Sequence, residues 1–96
     1  MHPAVLFLLI TGHSMEPTFH DHQTWFLNLT PYSTLHVGSI VDYKNDFLHK
    51  PICHRIVAGW PGKWVTKGDA NKEVDRGYCT PKNYIGEVSP PCAPKS

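Results

Sequence analysis

The chain has 96 residues, which is room for one domain and not for two. Hydrophobic residues make up 41% and charged residues 18%, a balance that fits a globular protein and excludes a disordered one. The formal charge is +1 with lysines and arginines scattered, so no basic stripe is present to hold nucleic acid. The seven histidines become a positive excess only below roughly pH 6.5.

In chain order, Ala4–Ile10 is an apolar run, far short of the roughly 20 residues that span a bilayer. It lacks the basic start and small-residue cleavage site of a secretory signal. It reads equally as a first strand or as the remnant of an anchor. Thr11-Gly12-His13-Ser14 breaks the pattern. Gln23–Leu29 is rich in β-formers and predicts a strand, and Thr30–Thr34, with Pro31, a loop. Ser39–Tyr43 and Ile52–Val57 are further strands. Trp60-Pro61-Gly62-Lys63 is a turn signal between Arg55–Ala58 and Trp64–Lys67, which predicts a hairpin. Asp69–Pro81 is a polar loop, Asn83–Val88 a last strand, and residues 89–96 a proline-rich tail that cannot continue a sheet. Short apolar segments, nine prolines and seven glycines argue against a helical bundle. The expectation is a single all-β domain over residues 1–96, a small twisted sheet or partly closed barrel with functional loops.

Cys53, Cys79 and Cys92 cannot all pair within one chain. In an oxidising compartment Cys79 and Cys92 form one candidate bridge and leave Cys53 free; otherwise all are small buried thiols.

The segment richest in chemistry is Gly12-His13-Ser14-Met15-Glu16-Pro17-Thr18. Pro17 fixes its own backbone angle and restricts Glu16, so Ser14 sits on a stiff turn. Gly12 lets the backbone come close to a substrate carbonyl. Such a serine attacks a peptide carbonyl when a base takes its proton and amide donors hold the oxyanion. A Ser-Pro loop without chemistry is the plain alternative.

Gly12-x-Ser14-Met15-x-Pro17-Thr18 resembles the nucleophile box of the signal peptidase I family. Gly38-Ser39-Ile40-Val41 is similar to the second box, where the family usually has Gly-Asp-Ile-Val. Cys53-His54-Arg55-Ile56-Val57 resembles the box of the general base. Bacterial members carry lysine there, and His54 is similar to the endoplasmic-reticulum, archaeal and sporulation-type branch. Thr66-Lys67-Gly68-Asp69-Ala70-Asn71, then Val74-Asp75-Arg76-Gly77, resembles that branch's Thr-Lys-Gly-Asp-Asn-Asn and Asp-Arg-Gly segments. These boxes stand in the family order and cover most of the chain.

The resemblance implies Ser14 as nucleophile, His54 as general base and Asp75 as the acid that orients the imidazolium. Asp69 matches the acid of the Gly-Asp box, with a catalytic and a structural role both open. Gly12, Met15 and Pro17 fall at the substrate and oxyanion side. Neutral imidazole, with a reference pKa of about 6.5, accepts a proton near neutrality, whereas lysine at about 10.4 must first be desolvated. Ser39, Ala70 and Gly12 depart from residues common in the family, and at Gly12 a side-chain oxyanion donor is lost.

Duller readings stand beside the other candidates. His20-Asp21-His22 lacks a third partner for a metal and reads as a solvated turn. His13 is an exposed loop residue or tunes the nucleophile. Met15 lines the cleft or packs. Trp25, Trp60 and Trp64 are expected in the core or beside the hairpin rather than facing lipid. Cys53 and His54, neighbours on a strand, point to opposite faces and make a poor dyad.

By resemblance, then, the expected function is a serine endopeptidase that removes signal peptides or similar leaders from precursor proteins, with no cofactor and no metal. The expected partners are an extended precursor peptide and a membrane, with the catalytic domain on the extracytoplasmic or lumenal side. A catalytically weak peptide-binding module is the alternative, and a self-cleaving repressor-type protease a more distant one.

Overall fold

A computed structural model describes residues 5–90. The order of elements is β1 (Val5–Leu9), β2 (Thr24–Asn28), a short 3-10 turn (Tyr32–Thr34), β3 (Ile40–Asn45), β4 (Lys50–Trp60), β5 (Lys63–Lys67) and β6 (Tyr84–Ser89). The strands form one antiparallel sheet in the order β1-β2-β6-β3-β4-β5. The all-β expectation holds, and the sheet is open, with β1 and β5 as its edges, rather than closed into a barrel. Ala4, the tail from residue 91 and Cys92 lie outside the described residues, and with them the Cys79–Cys92 pairing. Among the described residues no helix is long and apolar enough to cross a membrane.

β4 is longer than its apolar stretch because Asn45 organises the turn before it. Its side-chain carbonyl accepts from the Phe47 and Leu48 amides, and its backbone carbonyl from His49. That turn brings Lys50 and Pro51 opposite Asn45 and Lys44. Pro51, which has no amide to give, sits where β4 has a neighbour on one side only, because β5 pairs from Arg55 onward. At the far end, Pro61 and Gly62 form the predicted hairpin turn, with Gly62 at φ 101°.

Strand alternation divides the core between the two faces of the sheet. Val41 and Tyr43 of β3, Ile52 and Ile56 of β4 and Trp64 of β5 pack on one face, closed by Leu35 and Cys79 from the loops. Leu27 of β2 and Val88 of β6 lie on the other, covered by Ile10, Met15 and Phe19 from the segment between β1 and β2. The serine-bearing turn is therefore anchored on both sides by buried apolar residues. Of the tryptophans, Trp64 is buried, Trp25 stacks 3.9 Å from the Phe19 ring centroid, and Trp60 is exposed beside the hairpin turn.

Candidate active site

The β1–β2 connection is a closed loop. Ile10 donates to the Gln23 carbonyl at 2.7 Å, and His22 donates back to Ile10 at 2.8 Å. Gly12 takes φ 90°, which an L side chain rarely adopts, and its amide donates to Asp21 Oδ1 at 2.8 Å. Ser14 follows this bend. Its carbonyl accepts from the Ala70 amide at 2.8 Å, while the Asp69 amide points at Met15 Sδ, 3.3 Å away. The loop after β5 thus meets the serine turn with two successive backbone amides, one on the Ser14 carbonyl and one on the Met15 sulfur.

His54 projects from β4 on the face of Ile52 and Ile56 and is buried. Ser14 Oγ lies 2.9 Å from His54 Nε2, across 40 positions of sequence. On the far side of the ring, Nδ1 stands 2.5 Å from Asp75 Oδ2. A carboxylate can only accept, so Nδ1 carries the proton and Nε2 is left as the acceptor for the serine hydroxyl. Asp75 is placed by its backbone, whose amide donates to the Thr66 carbonyl at 2.8 Å.

Behind Asp75 runs a buried polar chain that the sequence did not announce. Thr66 Oγ1 donates to Asp75 Oδ2 at 2.7 Å. Its one proton being used, it accepts from the Tyr43 hydroxyl at 2.6 Å, which in turn accepts from Asn45 Nδ2 at 3.2 Å. Asn45 also donates to the Arg76 carbonyl at 2.9 Å, tying this chain to the residue after Asp75. Burial holds the Tyr43 hydroxyl above the usual phenol range, so it remains a donor. Tyr43 and Asn45 look like ordinary strand residues, and Thr66, though it opens a family-like segment, carried no role there; only their meeting in space reveals one.

Asp69 is not on the imidazole. Both its oxygens engage Arg55, at 2.9 Å to Nε and 2.8 Å to Nη2, and Thr18 Oγ1 donates to it at 2.6 Å. The Arg55 hydrogen bonds, supported by Thr18, hold this carboxyl below its ordinary range despite partial burial. Arg55 follows His54 on β4 and Thr18 lies on the serine loop, so Asp69 clamps the loop to the strand. Ser39, standing where the family usually has an acid, is buried and accepts from the His36 amide at 3.1 Å.

Gly68 makes this closeness possible. A β-carbon there would stand 2.7 Å from the Ser14 carbonyl and 3.1 Å from His54 Nε2. The Gly12 amide is spent on Asp21, while the Ser14 amide has no acceptor among the described residues.

A groove of about 670 Å³ opens beside the serine, with Gly12, Ser14, Met15, Asp42, Cys53 and His54 among its walls; Pro17 is not in its lining. Cys53 points away from the face of His54, and burial drives its thiol far above the ordinary range, so it stays protonated. His13 is exposed and bound to Glu16 at 2.6 Å. His20 and His22 are exposed as well, and among the described residues no group of three or more His, Cys, Asp or Glu side chains is placed to hold a metal ion.

An alcohol, an imidazole and a carboxylate in series are the parts of a nucleophilic serine. Over 84 residues, the chain is 33% identical to the signal peptidase complex catalytic subunit SEC11C of Homo sapiens, Mus musculus and Canis lupus familiaris. That likeness supports the signal peptidase I family. The alignment takes in 81% of this chain and 44% of each relative, so the chain spans less than half the length of these signal peptidase subunits. No family model matches the chain.

Proposed function

We propose that the chain is the catalytic core of a signal peptidase-like serine endopeptidase of the histidine-containing branch. The observation that carries this reading is the series Ser14–His54–Asp75, with contacts of 2.9 and 2.5 Å. His54 Nε2 takes the Ser14 proton as Oγ bonds to the peptide carbonyl carbon, and the Ser14 amide steadies the oxyanion. The proton passes to the departing amine as the C–N bond breaks, leaving an ester on Ser14. Water then gives a proton to His54 and its oxygen to the acyl carbon; the ester breaks, and the proton returns to Ser14. Asp75 holds the ring tautomer throughout.

The substrate is an extended segment of a precursor protein. The stretch of β4 from Lys50 to His54 pairs with β3 alone, leaving a backbone edge along the groove on which an extended peptide can lie. Resemblance to signal peptidases supports small residues, typically alanine, at the first and third places before the cut. It also supports action at a membrane, on the lumenal or extracytoplasmic side, as one component of a larger assembly. The test is cleavage of a precursor peptide by the wild type and by Ser14→Ala and His54→Ala. Both substitutions are expected to abolish it, and turnover by both variants rejects the reading.

A further inference from the structure

Asp42 is the group that the peptidase chemistry leaves unused. It is 6% exposed, yet it lies in the wall of the groove that contains Ser14 and His54. Its carboxyl has no hydrogen-bonding partner or cation among the described residues; burial alone acts on it, raising its pKa to about 6. Its neighbours offer nothing. On β4 it faces Cys53, a protonated thiol, and on β6 it faces Gly86, over which the Leu27 side chain lies.

The basic residues nearby are occupied or turned away. Arg55, two places beyond Cys53 on the same face, is held by Asp69 and the Gly38 carbonyl. Lys44, two places along β3, is exposed, and Lys50, which also borders the groove, projects from the opposite face of β4. Neither forms an ion pair with Asp42 among the described residues.

Buried carboxyls in folded proteins are nearly always paired, because an unpaired one costs several kcal/mol or stays protonated. A carboxyl set between a thiol and a glycine, and lining the groove beside Ser14, can take its partner from a peptide bound there. We propose that Asp42 is a specificity-determining residue that receives a lysine or arginine side chain of the bound peptide. A cationic side chain supplies both the hydrogen bonds and the countercharge that the fold withholds. An aliphatic one closes the groove over an unpaired acid, and a carboxylate is repelled.

This inference rests on the peptide-cleaving reading of the same groove, but its test does not require turnover. Fluorescein-labelled decapeptides, alanine- and glutamine-based, carry a single lysine, norleucine or glutamate at each position in turn. Binding is measured by anisotropy on the Ser14→Ala protein, alone and combined with Asp42→Asn or Asp42→Val. At one position lysine is expected to bind roughly tenfold or more tightly than norleucine, the scale of a hydrogen bond to a charged group, with glutamate weakest. Both Asp42 variants are expected to lose that preference while keeping affinity for the norleucine peptide. The asparagine form, closest in shape, serves if the valine form does not fold. Equal binding of lysine and norleucine everywhere, absence of binding, or a lysine preference that survives both substitutions overturns the assignment. Failure of the wild type to cleave any of the peptides counts against the peptidase reading alone, since the binding comparison still decides the role of Asp42.

Discussion

Thr66 Oγ1 donates at 2.7 Å to Asp75 Oδ2, the same oxygen that stands 2.5 Å from His54 Nδ1. One carboxylate oxygen is thereby fixed from two directions, and through Tyr43 and Asn45 its position is referred to β3 and the β3–β4 turn. Thr66 touches neither Ser14 nor substrate and is a positioning residue. Thr66→Val, of similar shape, is expected to lower kcat about 10- to 100-fold with little change in KM, as loss of a hydrogen bond to a charged group does. Thr66→Ser is expected to restore most of the rate. Steady-state kinetics on a cleavable precursor peptide check both, and a valine form as active as wild type removes the role.

Asp75→Asn tests the tautomer. An amide nitrogen presented to Nδ1 favours the ring form whose Nε2 carries the proton, which cannot accept from Ser14. Turnover is expected to fall on the order of 10⁴-fold, while peptide binding is kept. Single-turnover rates against binding affinity separate the two effects.

Much of this arrangement was legible in the chain. His54 stood out only through the resemblance of its segment to a family box, whereas the Pro61–Gly62 turn and the stiff serine turn depend on local residues, and local chemistry reads directly from sequence. The strand order did not, because β6 inserts between β2 and β3, a pairing that joins Leu27 to Val88 across the whole fold. The residues by themselves also left open the choice between two acids in one polar loop; the resemblance alone pointed to Asp75. Asp69 goes to Arg55 and Asp75 to His54 because Gly68 and the Thr66 carbonyl steer the loop, and neither steering contact has a sequence period. Asp42 reads as an ordinary polar residue in an alternating strand, and nothing in its spacing announces that it is buried in the groove wall.

Gly68→Ala tests how tightly the loop after β5 closes on the site. Its new methyl would lie 2.7 Å from the Ser14 backbone carbonyl, closer than β-carbons stand in folded proteins, and 3.1 Å from His54 Nε2, a tight contact. Either the serine turn or the ring must move, and a displacement near 1 Å costs about 10²-fold in rate. Labelling of Ser14 by a fluorophosphonate probe is expected to slow in parallel with turnover. Undiminished labelling shows that the loop can retreat without disturbing the pair.

Asp69→Asn breaks the clamp between Thr18 on the serine loop and Arg55 on β4. A loss of about 1–2 kcal/mol is expected, because Arg55 is partly open to solvent and its pairing correspondingly screened. The acid's pKa is lowered in the folded state, by Arg55 first, so its contribution is fully present above the ordinary carboxyl range and is lost as pH falls through the folded value. Urea unfolding at pH 7 and pH 3 is expected to show the variant's deficit at the higher pH and a smaller one at the lower. A deficit independent of pH assigns the effect to packing instead.

Asp42 gives the opposite dependence. Burial raises its pKa from 3.8 to about 6, so between those values the folded chain binds more protons than the unfolded one. Stability from this group is therefore greatest below about pH 4 and falls as pH rises towards neutrality, by an amount on the order of 2–3 kcal/mol. Asp42→Asn, which has no proton to lose, removes that slope. Urea unfolding from pH 4 to pH 7 is expected to show wild-type stability declining relative to the variant, with the asparagine form the more stable at pH 7. If the two curves run parallel through that window, the Asp42 carboxyl has found a partner or solvent. The groove would then lack the unpaired acid on which recognition of a basic peptide side chain depends.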